Sequence, residues 1–221
     1  MGTDFREALA PEDLEALGAR ARRAAFGAGR ALLHQGQVPE RVFLLLDGRV
    51  KVTSVTQAGR EVVLAFRGPG ELVGEQSALD GRPRSATVVT VEPVDALVLT
   101  HEAFRAFLTD RPAAALALLR MLSLRLRDAD AQRVEFATFT TMGRVAARLL
   151  DLSERFGREE DGVVRIELPI SQEELAGATG SSLESVERAL QTMRSLKCVQ
   201  TRRREIRVLD REALEALRGV A

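Results

Sequence analysis

Cysteine and histidine are scarce in this chain of 221 residues: Cys198 stands alone, and the histidines are His34 and His101. One cysteine excludes an intrachain disulfide, and so few soft or borderline donors argue against a cysteine-ligated zinc or iron-sulfur centre. No metal site is expected. No apolar run approaches the ~20 residues of a membrane-spanning helix. The acidic amino-terminal stretch MGTDFREALAPEDLEALG has neither the basic nor the apolar region of a signal peptide. A cytoplasmic location away from membranes is therefore expected. No Ser-His-Asp, Cys-His or metal-centred constellation can be assembled, so an enzyme is not expected.

Net charge is missing too, with 32 Lys and Arg against 32 Asp and Glu, yet the total hides a local excess. Arg188, Arg194, Lys197, Arg202, Arg203, Arg204 and Arg207 crowd the span 188–207, where Glu205 is the single acid. Such a cluster is an electrostatic footprint suited to a phosphate backbone.

The length suffices for one large domain or two small ones. Leu14, Leu17 and Ala21, following Pro11, predict a helix over 11–23. Between Gly27 and Leu99 the pattern shifts to short β-branched or apolar runs over 42–46, 50–55, 61–66, 86–91 and 96–99. Turn signals such as Asp47-Gly48, Gly68-Pro69-Gly70 and Asp80-Gly81 separate them. Many short strands at near-regular spacing point to a β-roll or jelly roll.

Beyond Pro112 no glycine or proline intervenes until Gly143. Leu119, Leu122, Leu126, Ala129, Arg133 and Phe136 alternate spacings of three and four, a heptad seam, while Leu118 and Leu124 lie off it. A helix of roughly 25 residues with apolar positions on two faces can pack on its own domain and on a second copy, which implies a homodimer. The β-branched and aromatic residues of 136–141 mark the end of that helix and a hinge. A further helix is predicted over 144–156, then a polar turn over 157–162 and a short strand over 163–168. The expected organisation is a β-roll domain over 1–111, a dimerisation helix and hinge over 112–139, and a DNA-binding domain over 140–221.

Two segments carry chemistry. In PGELVGEQSALDGRPRSA, residues 69–86, Glu75 precedes an adjacent Arg84-Ser85 pair among Gly70, Gly74 and Gly81. The segment resembles the phosphate-binding cassette of cyclic-nucleotide-binding domains, and a cyclic nucleotide presents a singly charged phosphodiester, a ribose 2'-hydroxyl and a base. The planar fork of Arg84 suits two phosphate oxygens, and Ser85 adds a hydroxyl donor. Glu75, acceptor-only when ionised, suits the 2'-hydroxyl and would repel the phosphate. The glycines permit positive φ and close approach of backbone amides to an anion. With Gln76 and Ala86, Gly74, Glu75, Arg84 and Ser85 form the candidate ligand set.

In the second segment, Ser171-Gln172-Glu173-Glu174 has the form of a capping box. Ala176, Gly180 and Val186 then fall where a helix-turn-helix needs a small residue, a turn glycine and an apolar anchor. With Val186 and Leu190 facing the core, Ser181, Ser182, Glu184, Ser185 and Arg188 project outward, where Arg reads guanine, Glu accepts from cytosine and Ser binds phosphate. KCVQTRRREIRVLD then reads as a β-hairpin wing with Arg202-Arg203-Arg204 at its tip.

Cassette, long helix, hinge and helix-turn-helix keep this order over nearly the whole chain, which thereby resembles the CRP/FNR family of bacterial transcription regulators. The resemblance implies an α+β fold: an amino-terminal jelly-roll domain of the cyclic-nucleotide-binding type, a long dimerisation helix and a carboxy-terminal winged helix-turn-helix. It implies a homodimer on two-fold symmetric double-stranded DNA, with RNA polymerase as a further partner and cAMP or another cyclic nucleotide as effector. Gly74 and Glu75 then approach the ribose, Arg84 and Ser85 hold the cyclic phosphate, and Glu184 and Arg188 face base edges. Ser171, Gln172, Ser182, Leu183, Arg202 and Arg203 join the DNA-binding set.

Two departures from the family pattern leave alternatives open. Ala129 and Asp130 stand where cAMP-responsive members place a Thr followed by Ser or Asn against the adenine, one from each subunit. Ala129 offers no polar side-chain atom and Asp130 only accepts, which suits cGMP as well as cAMP. Leu183 stands where such members carry an Arg, so the preferred DNA sequence differs. A ligand-independent regulator of the same fold and a nucleotide-binding module acting on a protein partner are the rival readings.

Overall fold

In the computed structural model, which describes residues 4–57, 59, 61–202 and 204–218, the chain divides into two units, residues 1–128 and 129–221. The first opens with α1 (Pro11–Ala19), where Pro11 occupies the first turn and its missing N–H costs nothing. This helix is shorter than the predicted 11–23. Arg22 and Arg23 belong instead to β1 (Arg22–Phe26), whose backbone pairs with a later strand. Ala21 still packs on the core, so its spacing from Leu17 reported burial rather than helix.

Eight strands follow one another through this unit: β1, β2 (Ala31–Leu33), β3 (Arg41–Asp47), β4 (Val50–Val55), β5 (Glu61–Arg67), β6 (Leu72–Val73) and, after the short helix α2 (Glu75–Asp80), β7 (Thr87–Thr90) and β8 (Val94–Thr100). They form two antiparallel sheets, β1-β8-β3-β6 and β2-β7-β4-β5. Successive side chains of a strand point to opposite faces, and β3 buries both. Phe43 and Leu45 enter one cluster with Val50, Val88 and Val98, while Val42 and Leu44 enter another with Phe104, Phe107 and Leu118. A continuous apolar run marks such a doubly covered strand. Helices α3 (His101–Asp110) and α4 (Pro112–Thr138) supply that second cover.

The 27 residues of α4 carry two kinds of apolar position. Ala114, Ala117, Leu118 and Met121 are buried in the first unit's core, and Leu122 packs against it as well. Leu122 thus leaves the predicted seam, because its side of the helix is already covered. Leu119, Leu126, Ala129, Arg133 and Phe136 remain exposed.

In the second unit α5 (Thr141–Phe156) buries Val145, Leu149 and Leu152 along one face. The segment predicted as a polar turn over 157–162 instead forms β9 (Gly157–Glu160), paired with β10 (Val163–Ile166) around a turn in which Asp161 and Gly162 adopt positive φ. All four residues of β9 are exposed; an edge strand with no buried face has no apolar alternation to reveal it. Helices α6 (Gln172–Thr179) and α7 (Leu183–Ser195) precede the hairpin β11 (Val199–Arg202) and β12 (Glu205–Val208), and α8 (Arg211–Arg218) ends the described chain. The sheet order is β11-β12-β10-β9. Among the described residues no helix is long and apolar enough to cross a membrane.

Candidate functional site

Gly74, with φ of +84°, turns the chain from β6 into α2. A Cβ there would stand 2.9 Å from Leu33 Cδ1 and 3.0 Å from the Arg41 carbonyl oxygen, so both the conformation and the space require glycine. The close approach lets Arg84 fold under the turn. Its Nη1 donates to the Gly74 carbonyl at 2.6 Å and its Nη2 to the Arg41 carbonyl at 2.5 Å. Arg84 is buried, and loss of hydration lowers its pKa from the ordinary arginine value, with Glu75 and Glu40 opposing that shift.

Glu75 is buried as well and accepts a hydrogen bond of 2.7 Å from Arg125 Nη1. Arg125 reaches in from α4, donates through Nη2 to the Leu72 carbonyl at 3.0 Å, and lies 3.6 Å from Glu71. Glu71 in turn accepts from the Gly68 amide at 2.9 Å and sits 3.4 Å from Arg67. A buried carboxylate is stable only when its charge is matched in this way.

These groups border one cleft of about 490 Å³, counting its open mouth, and all six predicted ligand residues within this unit line it: Gly74, Glu75, Gln76, Arg84, Ser85 and Ala86. The charged lining is Arg67, Arg84, Arg125 and Glu75, a cationic set suited to an anion with a hydroxyl donor beside it. Ser85 and Gln76 are exposed at the rim. Sequence reasoning missed Arg125, which α4 carries from far along the chain; an arginine between Leu124 and Leu126 was its one local sign. Ala129 and Asp130 lie exposed on α4 in the second unit, with Asp130 3.7 Å from Arg133.

The predicted capping box is present. Ser171 Oγ accepts from the Glu174 amide at 3.1 Å, and Glu174 accepts from the Ser171 amide at 2.8 Å. Helix α6 ends at Gly180, whose φ is +60°, and Ser182 caps α7 by accepting from the Ser185 amide at 3.2 Å. Val186 and Leu190 are fully buried beneath it. Ser182, Leu183, Glu184 and Arg188 are exposed, Ser185 is half-buried, and Arg188 stands 3.5 Å from Glu184.

Ser181 departs from its predicted outward position. It is buried, donates to the Thr179 carbonyl at 3.2 Å, and accepts from Arg144 at 3.2 Å. The helical projection begins only at Leu183, so Ser181 belongs to the turn. Ser171, Gln172 and Arg202 border one open groove with Leu190, Thr201 and Arg204. Arg204 is exposed at positive φ in the wing turn, and Arg203 lies outside the described residues. Sequence reasoning also missed Arg144, whose partners lie on both sides of the helix-turn-helix turn.

Residues 23–111 match the cyclic nucleotide-binding domain family, and residues 143–217 match the Crp-like helix-turn-helix domain family. The "CRP-like cAMP-activated global transcriptional regulator" of Mycobacterium tuberculosis is 30% identical over 208 residues, 94% of this chain and 93% of the relative. The "Cyclic AMP receptor protein" of Thermus thermophilus is 33% identical over 192 residues, 87% of this chain and 86% of its own. A solved structure of a CRP/FNR-family transcriptional regulator from Thermus thermophilus superposes with a TM-score of 0.76 at 27% identity, covering 90% of this chain and 99% of that one.

Proposed function

Since this chain belongs to the CRP/FNR family of DNA-binding transcription regulators, we propose that it acts as a homodimer switched by a cyclic nucleotide, cAMP first and cGMP as the competitor. The observation that carries the reading is the pairing of buried Arg84 with buried Glu75 across one cleft. Two N–H groups of Arg84 are spent on carbonyls; arginine has five, so others serve the cyclic phosphate, with Ser85 beside them. Arg125 fixes the Glu75 carboxylate as an acceptor for the ribose 2'-hydroxyl. Two relatives named for cAMP support the first choice of base, whereas Ala129 and Asp130, the sequence-based base contacts, keep guanine open.

On DNA, Ser182, Leu183, Glu184, Ser185 and Arg188 meet base edges and phosphates, while Ser171, Gln172 and Arg202 hold the backbone. Successive major grooves require the two readers of a dimer formed through α4 to stand about 34 Å apart, one turn of the duplex. Nucleotide favours that arrangement only by its affinity difference between the two dimer states, tenfold per ~1.4 kcal/mol. The regulator works in the cytoplasm, with RNA polymerase as a further partner where it activates.

Calorimetric titration of cAMP and cGMP into the full chain, followed by selection of duplexes from a random pool with and without nucleotide, tests this. Micromolar binding of one nucleotide that raises operator affinity supports it. Operator selection unaffected by either nucleotide supports the ligand-independent regulator instead. One observation favours that second reading: Arg84 and Glu75 are already bonded within the protein.

A further inference from the structure

Arg144 lies in the first turn of α5 and is only half-buried, yet all three nitrogens of its guanidinium group donate hydrogen bonds. Its Nε donates to the Thr179 carbonyl at 2.8 Å and its Nη1 to the Phe139 carbonyl at 2.7 Å. Nη2 reaches Ser181 Oγ at 3.2 Å and Thr141 Oγ1 at 3.3 Å. Thr179 ends α6, and Phe139 follows the last residue of α4. Both carbonyls therefore belong to helix carboxy-termini, where unpaired acceptors and the negative end of the helix dipole favour a cation.

The guanidinium is seated against an aromatic face. Its central carbon lies 5.9 Å from the centroid of Phe136, within the range of a cation–π contact. Phe136 in turn closes on the turn glycine: a Cβ on Gly180 would stand 2.8 Å from Phe136 Cε1. The turn is thus held twice, by hydrogen bonds from Arg144 to Thr179 and Ser181 and by the ring of Phe136 against Gly180. The next residue after Ser181 is Ser182, the cap of α7, so the grip sets the direction in which the recognition helix leaves.

We propose that Arg144, seated on Phe136, is the positioning residue that fixes the recognition helix for sequence reading, by locking the helix-turn-helix turn to the last turn of α4. It touches no DNA itself. Planar geometry is what the site uses, since one fork reaches carbonyls and hydroxyls in separate directions; a lysine supplies equal charge without that fork. Phosphate neutralisation is consequently untouched by Arg144→Lys, and the loss falls on sequence discrimination.

The test uses the full chain carrying Arg144→Lys, Arg144→Gln or Phe136→Leu, with the operator selected by the unaltered protein and an unrelated duplex of equal length. Affinity for both duplexes is measured across a salt series, alongside thermal melting and hydrogen exchange of the amides at 181–186. Arg144→Lys is expected to weaken operator binding by roughly tenfold or more, the scale on which charged hydrogen bonds are lost. Affinity for the unrelated duplex and the salt slope are expected to hold within about twofold, while the turn amides exchange faster. Phe136→Leu moves in the same direction by less. Should Arg144→Gln fail to fold, the lysine variant decides. Operator affinity unchanged by Arg144→Lys, or equal losses on both duplexes, overturns the proposal.

Discussion

Arg125 Nη1 donates to Glu75 across 2.7 Å, and the two side chains keep only 10% and 4% of their exposure. The pair joins α4 to the turn that begins α2, so the helix carrying the exposed leucines also holds the carboxylate assigned to the ribose. Replacing a buried pair with apolar groups is often tolerated, whereas removing one partner costs on the order of 3–5 kcal/mol. Arg125→Met is expected to lower stability by about that range in urea melts. The double variant Arg125→Met, Glu75→Leu is expected to recover most of the loss and yet to bind no cyclic nucleotide in calorimetry. A single variant as stable as the parent would show that Glu75 does not depend on the pair.

How far the sequence revealed these features follows from burial. The run in β3 was readable because both faces of that strand are covered, leaving Val42, Phe43, Leu44 and Leu45 all apolar. β1 and β9 were not, since Arg22, Arg23 and the whole of β9 face solvent and leave no alternation of apolar residues to mark the strands. Arg84 and Glu75 lie in one short segment whose glycines announce the turn. Arg125 and Arg144 carry no such sign, because Arg125 acts on Glu75 and the Leu72 carbonyl, and Arg144 on Thr179 and Ser181, groups that only tertiary packing brings near. Ser181 was misplaced for the same reason: a helical projection carried back past the Ser182 cap gives it an outward direction, while Arg144 holds it in the turn.

That reassignment separates two neighbouring predictions for DNA. Arg188→Ala is expected to cost about 1–3 kcal/mol on the selected operator and to relax preference at one position of each half-site. Ser181→Ala is expected to relax no single base position, and at most to lower discrimination slightly across the whole half-site, because its hydroxyl is buried against Thr179 and Arg144 and supplies one of the bonds that hold the turn. Selection from randomised duplexes with each variant reads both outcomes. Preference relaxed at one defined base position in the serine variant would return Ser181 to the reading surface.

Cys198 offers a probe of the second unit. It is buried, and burial, aided by the Asp210 carboxylate, raises its thiol above the ordinary value. The thiolate is the reactive form, so both access and ionisation oppose alkylation. In native buffer iodoacetamide is expected to label Cys198 at least roughly a thousandfold more slowly than in urea, following the open fraction of the fold. The sign with pH is fixed: folding disfavours the thiolate, so this thiol's effect is absent below its unfolded pKa and costs stability as pH rises above it. Rapid labelling at neutral pH would contradict the buried position.

The exposed leucines of α4 yield the last prediction. Leu119 and Leu126 keep 58% and 63% of their exposure two helical turns apart, with Leu116 extending the face at 55%. Burying each such side chain contributes about 1.5–3 kcal/mol, so the face gains most from a second copy of itself, as a two-fold dimer supplies. In such a dimer Leu126→Asp would bury a carboxylate at the proposed interface, and its desolvation opposes association. Sedimentation of the unaltered chain is expected to give a dimer, and that of Leu126→Asp a monomer at the same concentration. Operator affinity then falls steeply, because two half-sites held by one dimer become two separate binding events. Stability of each unit is expected to hold, since Leu126 buries little within its own chain. A Leu126→Asp variant that sediments as the parent does would remove this face from the dimer.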